Sequence, residues 1–301
     1  MSKLIYVMGR GHSGSTILDI LLGEAKNACG LSELVSGLAR FEKDICSCEQ
    51  PIRECEFWSK VKAEFEGQGR SWEEVYALVG QANVKRFPSM LLWGRAQRDA
   101  LNEIDQSLVR AISKVSGCEY VVDSSKEVTR GLLLARGGKT KIIHILRSPL
   151  EVIESNLYRI DRGENFRFMR RNFRGKRFRY LFVVMSAFGW SVGFWLAMLV
   201  ARFAKPERYL PIYYNQLYAD PRKVLEEIGQ FADLDLEDVI RQIEAEEPIK
   251  FFHRFAGNRI RFKKEVVFRD AREKRSLRWF ERLLVEVLTF PAFHMRKKRF
   301  R

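Results

Sequence analysis

Gly9-Arg10-Gly11-His12-Ser13-Gly14-Ser15-Thr16 follows a short apolar run, Leu4 to Met8, and precedes apolar residues at helical spacing, Ile17, Leu18, Ile20, Leu21 and Leu22. A glycine-rich stretch between a strand and a helix is the setting of a phosphate-binding loop. Glycines let the backbone approach an anion closely, and the first N–H groups of the helix point at it with the positive end of the helix dipole. Against the nucleoside-triphosphate template the glycines and the final Ser/Thr fit as Gly9, Gly14 and Thr16, but Ser15 stands where the lysine belongs. That lysine reaches the β- and γ-phosphates of a triphosphate. The loop therefore predicts a phosphate ligand other than ordinary ATP, the plain alternative being a glycine-rich turn with no ligand.

Further along, Asn27 to Leu31 reads as a second short strand leading to Ser32-Glu33. Residues 56–116 carry apolar positions at helical spacing, among them Trp58, Val61 and Phe65, then Leu101, Ile104, Leu108 and Ile112. Two buried-strand runs follow: Tyr120-Val121-Val122, ending in Asp123-Ser124-Ser125-Lys126, and Ile142 to Leu146, ending in Arg147. A later strand is expected at Arg208 to Tyr214. Apolar runs alternating with helices predict an α/β fold, a three-layer parallel sheet of about four or five strands whose C-terminal ends gather the ligand groups. After Arg147 the helix start is well marked by Ser148 as N-cap, Pro149 at the first position and Glu151 completing a capping box. Ser155 shares the face of Glu151 and points back toward the ligand edge.

The chain's 46% hydrophobic and 30% charged residues are the balance of a globular protein. Its net charge of +15 is concentrated. Residues 250–301 hold 17 Lys/Arg against 5 Asp/Glu, and residues 159–179 hold 9 against 2. Such patches meet phosphate, sulfate, nucleic acid or anionic lipid. Leu4 to Met8 is too short for a signal peptide, so a cytoplasmic location is expected. Tyr180 to Ala201 contains no charged residue and has the length of a bilayer span. A span would separate strands of one sheet, so a buried helix or a membrane-facing hairpin is expected instead. With the helix Trp279 to Phe290 and the basic end Arg296 to Arg301, it suggests contact of residues 159–205 and 279–301 with an anionic membrane surface, peripheral at its inner face. A docked helix with a solvated tail is the alternative. Cys46, Cys48 and Cys55 have no nearby histidine in sequence and no Cys-x-x-Cys pair; structural or free thiols and no metal are expected, with zinc or a disulfide as alternatives.

Together, Gly11-His12-Ser13-Gly14-Ser15-Thr16, Arg147 and Ser155 resemble the sulfotransferase family. Cys46-Ser47-Cys48 with Cys55-Glu56-Phe57-Trp58, Asp123-Ser124-Ser125-Lys126, and His253 through Gly257-Asn258-Arg259 look like a bacterial branch of it. Tyr214-Asn215-Gln216-Leu217 with Asp220-Pro221 is similar to another family segment, although Asn215 and Gln216 replace its usual acidic pair. The resemblance implies an enzyme moving a sulfuryl group from 3′-phosphoadenosine 5′-phosphosulfate (PAPS) to a hydroxyl on a small molecule, glycan or lipid, without a metal. Gly11 to Thr16 would grip the 5′-phosphosulfate, and Arg147 and Ser155 the 3′-phosphate, with Arg259 adding a second cation. His12 stands where relatives carry a loop Lys or Arg, and Lys126 is the permanent positive charge. Glu33, at the spacing from His12 of the glutamate base in tyrosylprotein sulfotransferases, is the expected base. Arg10 touching the anion and Asp19 bracing the loop are lesser expectations; Trp58, Trp93 and Phe251-Phe252 are expected in the core or on the adenine.

The implied organisation is one sulfotransferase domain over residues 1–301. It has a helical insertion at about 56–116, an apolar helical segment at about 180–203 and a basic extension at about 263–301. The competing readings are a P-loop kinase or NTPase with Asp123 holding a metal, and a non-enzymatic basic adaptor for membrane or nucleic acid. Nucleic acid is not an expected partner of the enzyme.

Overall fold

The computed structural model describes residues 2–81, 83–161, 176–251, 253–254, 259–269 and 277–299. Five parallel strands form one sheet in the order β2-β3-β1-β4-β5: β1 (Lys3–Gly9), β2 (Ala28–Gly30), β3 (Tyr120–Lys126), β4 (Lys141–Leu146) and β5 (Tyr209–Tyr213). β1 is central, flanked by β3 and β4. The chain leaves it for α1 (Ser15–Gly23) and β2 on one side and later reaches β4 on the other, so a crevice opens at the C-terminal end of β1.

Alternate residues of β1 feed the two faces. Leu4, Tyr6 and Met8 pack with α2 (Leu34–Leu38), α3 (Glu56–Gly67), α4 (Trp72–Gln81), α5 (Phe87–Leu91), α6 (Arg95–Ser116) and α7 (Val128–Gly137). Ile5 and Val7 pack with α1 and, beyond α8 (Pro149–Asp161) and α9 (Lys176–Phe203), with α10 (Tyr214–Ala219), α11 (Pro221–Ala232) and α12 (Glu237–Glu244). This is the expected three-layer arrangement. The side chains of residues 56–116 share their core with the sheet itself.

Within the α3–α7 layer, Arg130 of α7 is fully buried between two carboxylates. Its Nε donates to Asp123 at 2.7 Å, and Nη2 lies 2.7 Å from Asp105 at an angle off that of a hydrogen bond. Burial drives the Asp105 carboxyl upward and Arg130 opposes the shift. Removing one member of such a set strands the others in the core. Arg130→Leu is therefore expected to destabilise the fold by about 3–5 kcal/mol, read as a lowered urea midpoint.

The apolar segment forms α9, which lies between β4 and β5 in sequence. Those strands pair directly and in parallel, Ile142 with Tyr209 through Leu146 with Tyr213, so α9 belongs to a crossover returning to the same sheet. It packs against α13 (Trp279–Arg299), with Ser191 Oγ donating to the Leu288 carbonyl at 3.2 Å and Arg179 bidentate on buried Glu281 at 2.6 and 3.0 Å. Val183, Ala187, Trp190, Phe194 and Ala197 are buried. Leu181, Met185, Phe188, Val192, Trp195 and Leu199 recur at intervals of four and three along the opposite stripe and are exposed. Trp279, Leu283, Val287 and Phe290 of α13 are exposed as well. Within the basic segments 159–179 and 263–301, residues 162–175, 270–276 and 300–301 lie outside the described residues.

Candidate active site

The loop after β1 turns through two left-handed residues, His12 at φ 68° and Gly14 at φ 93°. Gly14 is required twice over. An L side chain is strained at that φ, and a Cβ there would stand 2.5 Å from the Tyr214 ring. The Gly14 carbonyl opens α1 by accepting from Leu18 N at 3.1 Å, so the free N–H groups of the first turn face the end of the sheet.

Arg147, just beyond β4, donates to the His12 carbonyl at 2.8 Å. Its guanidinium lies over the Tyr214 ring, 3.9 Å from the centroid, and its Nε is 3.5 Å from Glu151. Ser155 Oγ is 3.2 Å from His12 Nδ1. The loop, Arg147 and Ser155 therefore converge as the sequence predicts. α8 begins at Pro149, as expected, but Glu151 pairs with Arg147 rather than acting only as a cap. Tyr214 was not among the predicted site residues, although it touches both Gly14 and Arg147. Its only signal in sequence was the Tyr-x-x-Leu segment at the end of β5.

Across the cleft, Lys126 Nζ and Glu33 Oε1 form a direct ion pair, each side chain less than one-fifth exposed. The surrounding backbone is arranged to present both. On β3, Ser124 and Ser125 stand opposite Val7 alone, because Tyr6 pairs with Asp123 and Met8 with Lys126. The extra residue is a bulge, which re-aims the strand's last side chain; Lys126 follows with φ 70°. Asp123 accepts from Leu34 N at 3.3 Å and from Ser125 N at 2.8 Å, and Ser125 Oγ accepts from Val35 N at 2.9 Å. Asp19 of α1 receives Ser32 N at 3.2 Å on each carboxylate oxygen and is ion-paired to buried Arg254. Burial drives the Asp19 carboxyl upward while Arg254 opposes the shift. Glu33 is thus held from both sides by buried carboxylates that bind its neighbours.

The kinase reading, with Asp123 as a metal ligand, does not survive this arrangement. Asp123 is fully buried and its oxygens are taken by Arg130, Ser125 and Leu34.

Loop, ion pair and Arg147 open into one cleft of about 1060 Å³, at the upper end of the roughly 300–1,000 Å³ range of ligand pockets. It has room for a nucleotide and a second substrate. Arg10 and Arg40 add cations to its wall, and Phe188, Val192 and Phe194 of α9 form an apolar side. Arg10 lies along α9 where Gly189 and Gly193 leave space, its Nη2 2.8 Å from the position a Cβ would take at Gly189. Glu127 also lines the cleft; burial pushes its carboxyl up, neighbouring Glu33 adds to that and Lys126 opposes it. Burial holds His144 down to about 3, so it is neutral, with Nδ1 2.5 Å from the Tyr209 hydroxyl.

Trp58 is wholly buried and Trp93 packs against the same core, so neither is an adenine platform; Phe251 is buried and Phe252 lies outside the described residues. Arg259 starts a short helical turn, Arg259–Lys263, with its side chain outside the described residues, as are residues 255–258. Asp220 caps α11 by accepting from Lys223 N at 3.1 Å. No histidine lies near the three clustered cysteines in sequence, but the fold brings His253 Nδ1 to 3.5 Å from Cys55 Sγ and 4.0 Å from Cys46 Sγ.

No curated protein matches the chain. Among solved structures it is similar to sulfotransferase STF9 from Mycobacterium avium, at 15% identity and a TM-score of 0.49 over 98% of this chain and 76% of that one. It is also similar to the sulfotransferase domain of the Synechococcus PCC 7002 olefin synthase, at 21% identity and a TM-score of 0.42 over 79% and 76%. The sequence model of the Sulfotransferase family matches residues 5–238, which include the loop, Glu33, Lys126, Arg147 and Ser155. The chain belongs to the sulfotransferase family and is an enzyme of sulfuryl transfer.

Proposed function

We propose that this enzyme transfers the sulfuryl group of PAPS to a hydroxyl of an amphipathic acceptor held at an anionic membrane surface. The observation that carries the reading is one cleft shared by an anion-binding helix start, a fixed Lys126–Glu33 pair and an exposed apolar wall. Gly11 to Thr16, with the N–H groups of α1, receive the 5′-phosphosulfate. Arg147 and Ser155 take the 3′-phosphate, and Arg259 joins them. The acceptor oxygen attacks sulfur as the bond from sulfur to the 5′-phosphate oxygen breaks. Glu33 accepts the hydroxyl proton, and the leaving oxygen is neutralised by Lys126 and the loop, with His12 donating from the loop itself. The transfer itself needs no metal, because these groups supply the charge.

Phe188 and Val192 belong both to the cleft wall and to the exposed stripe of α9, so an acyl or prenyl chain lying on that stripe would lead its hydroxyl toward Glu33. The basic segments at residues 159–179 and 250–301 complement anionic headgroups, which suits a peripheral enzyme on the cytoplasmic face. Met185→Asp on the exposed stripe of α9 with Val287→Asp on the exposed face of α13, both outside the cleft lining, is expected to weaken sedimentation with phosphatidylglycerol vesicles by at least about tenfold. Affinity for the desulfated nucleotide 3′-phosphoadenosine 5′-phosphate (PAP) should stay unchanged. To test the acceptor class, enzyme is incubated with sulfur-labelled PAPS and, in parallel, a membrane lipid extract and a soluble glycan pool. Label in the lipid fraction supports the reading, and label in the glycans alone contradicts it.

A further inference from the structure

Cys46 and Cys48 lie on a tight turn, closed by Cys46 N donating to the Gln50 carbonyl and Glu49 N to the Cys46 carbonyl, each at 2.9 Å. Cys55 precedes the first turn of α3. His253 comes from a segment nearly two hundred residues later in the chain and is held in place from two sides. Phe57 stacks on its ring at a centroid distance of 5.1 Å, and Trp58 Nε1 donates to its carbonyl at 3.2 Å. Ser47 N donates to the Arg254 carbonyl at 2.8 Å and Arg254 N to Ser47 Oγ at 2.9 Å, which ties the two segments together.

All four ligand atoms lie within 4.8 Å of one another. Cys48 Sγ is 3.6 Å from Cys55 Sγ, Cys55 Sγ is 3.7 Å from Cys46 Sγ, and His253 Nδ1 is 3.5 Å from Cys55 and 4.0 Å from Cys46. A tetrahedral zinc with Zn–S of about 2.3 Å and Zn–N of about 2.0–2.1 Å sets sulfurs about 3.8 Å apart and sulfur from nitrogen about 3.6 Å. These four separations lie within about 0.4 Å of those edges, and the other two pairs are within 4.8 Å. They do not match a disulfide, whose sulfurs sit at about 2.05 Å and which would use two of three thiols.

We infer that Cys46, Cys48, Cys55 and His253 form a structural Zn²⁺ site, closed by four protein ligands, none of which lines the cleft. Soft thiolates with one imidazole select zinc among common cellular divalent ions, and a four-ligand set with no open position is structural. The site gives the segment around His253 a fixed anchor. From there Arg254 reaches Asp19, which binds Ser32 next to Glu33. The metal thereby fastens the late part of the chain to the helix and turn that carry the catalytic groups.

The test uses full-length protein purified with a thiol reductant in metal-free buffers. Elemental mass spectrometry is expected to find about one zinc per chain. Replacement by Co²⁺ should give the intense visible bands of tetrahedral coordination and a near-ultraviolet thiolate-to-cobalt band. Cys48→Ser, at an exposed position, and His253→Gln should each lose the stoichiometric metal. A strong chelator should lower the Tm of the wild type and leave that of Cys48→Ser unchanged. A wild-type protein that retains no zinc, shows no cobalt bands at stoichiometric Co²⁺ and titrates as free thiols would overturn the site, as would a disulfide between any two of the three cysteines. The wild-type cobalt spectrum decides the question even if a variant fails to fold.

Discussion

Glu33→Gln is expected to lower kcat by about 10²–10⁴-fold, the usual contribution of a positioned general base, while PAP affinity stays within about twofold. The carboxylate is held from several sides. Asp19 receives Ser32 N, Asp123 receives Leu34 N, Ser125 receives Val35 N, and Lys126 pairs with the carboxylate itself. That network serves one side chain in a cleft that also holds the anion loop. The amide keeps volume and hydrogen bonding but accepts no proton, so the loss belongs to the chemical step. Pre-steady-state kinetics with saturating PAPS measures it. A kcat within threefold of wild type would remove Glu33 from the base role and turn attention to Glu127, the other cleft carboxyl.

Arg147→Ala should weaken PAP binding by about 30- to 4,000-fold, corresponding to the roughly 2–5 kcal/mol lost when one side of a buried charge pair is truncated. The residue acts in two ways. It fixes the loop by donating to the His12 carbonyl and packing on Tyr214, and in the proposed nucleotide complex it would offer a bidentate cation to a phosphate. Arg147→Lys keeps the charge but loses the fork and the flat stacking surface, so it should recover only part of the affinity. Calorimetric titration separates the outcomes. Undiminished affinity in the alanine variant would place the 3′-phosphate elsewhere.

Local pattern made much of this legible in the sequence. The apolar run before Gly9, the glycine spacing and the Ser148-Pro149 helix start are short-range signals, and the strand, loop and α8 lie where those signals put them. Lys126 was legible as a cation at a strand end. Its delivery by a bulge was not, because the bulge exists only in the register of β3 against β1. The buried polar frame was hidden for a similar reason. Asp19 reads in sequence as a loop brace and Asp123 as a strand-end acid, and only tertiary contact makes Arg254 the partner of Asp19 or Arg130 that of Asp105 and Asp123. His253 was invisible as a neighbour of three cysteines because spacing motifs register only ligands close in sequence. The uncharged segment 180–201 was ambiguous because α9 is apolar on both its buried and its exposed stripe. Composition cannot say which stripe meets protein; tertiary packing does, and the pairing of β4 with β5 shows that the segment returns to the same sheet.

The central claim, a sulfuryl donor bound without the triphosphate lysine, is tested most directly by one turnover measurement. Enzyme, sulfur-labelled PAPS and membrane lipid extract are incubated with no added divalent cation, and PAP release is followed together with transfer of label. PAP and a labelled sulfate ester are expected in equal amounts, with no rate increase from Mg²⁺ and with ATP left intact in the presence of Mg²⁺. Stable PAPS alongside Mg²⁺-dependent hydrolysis of ATP would contradict that claim.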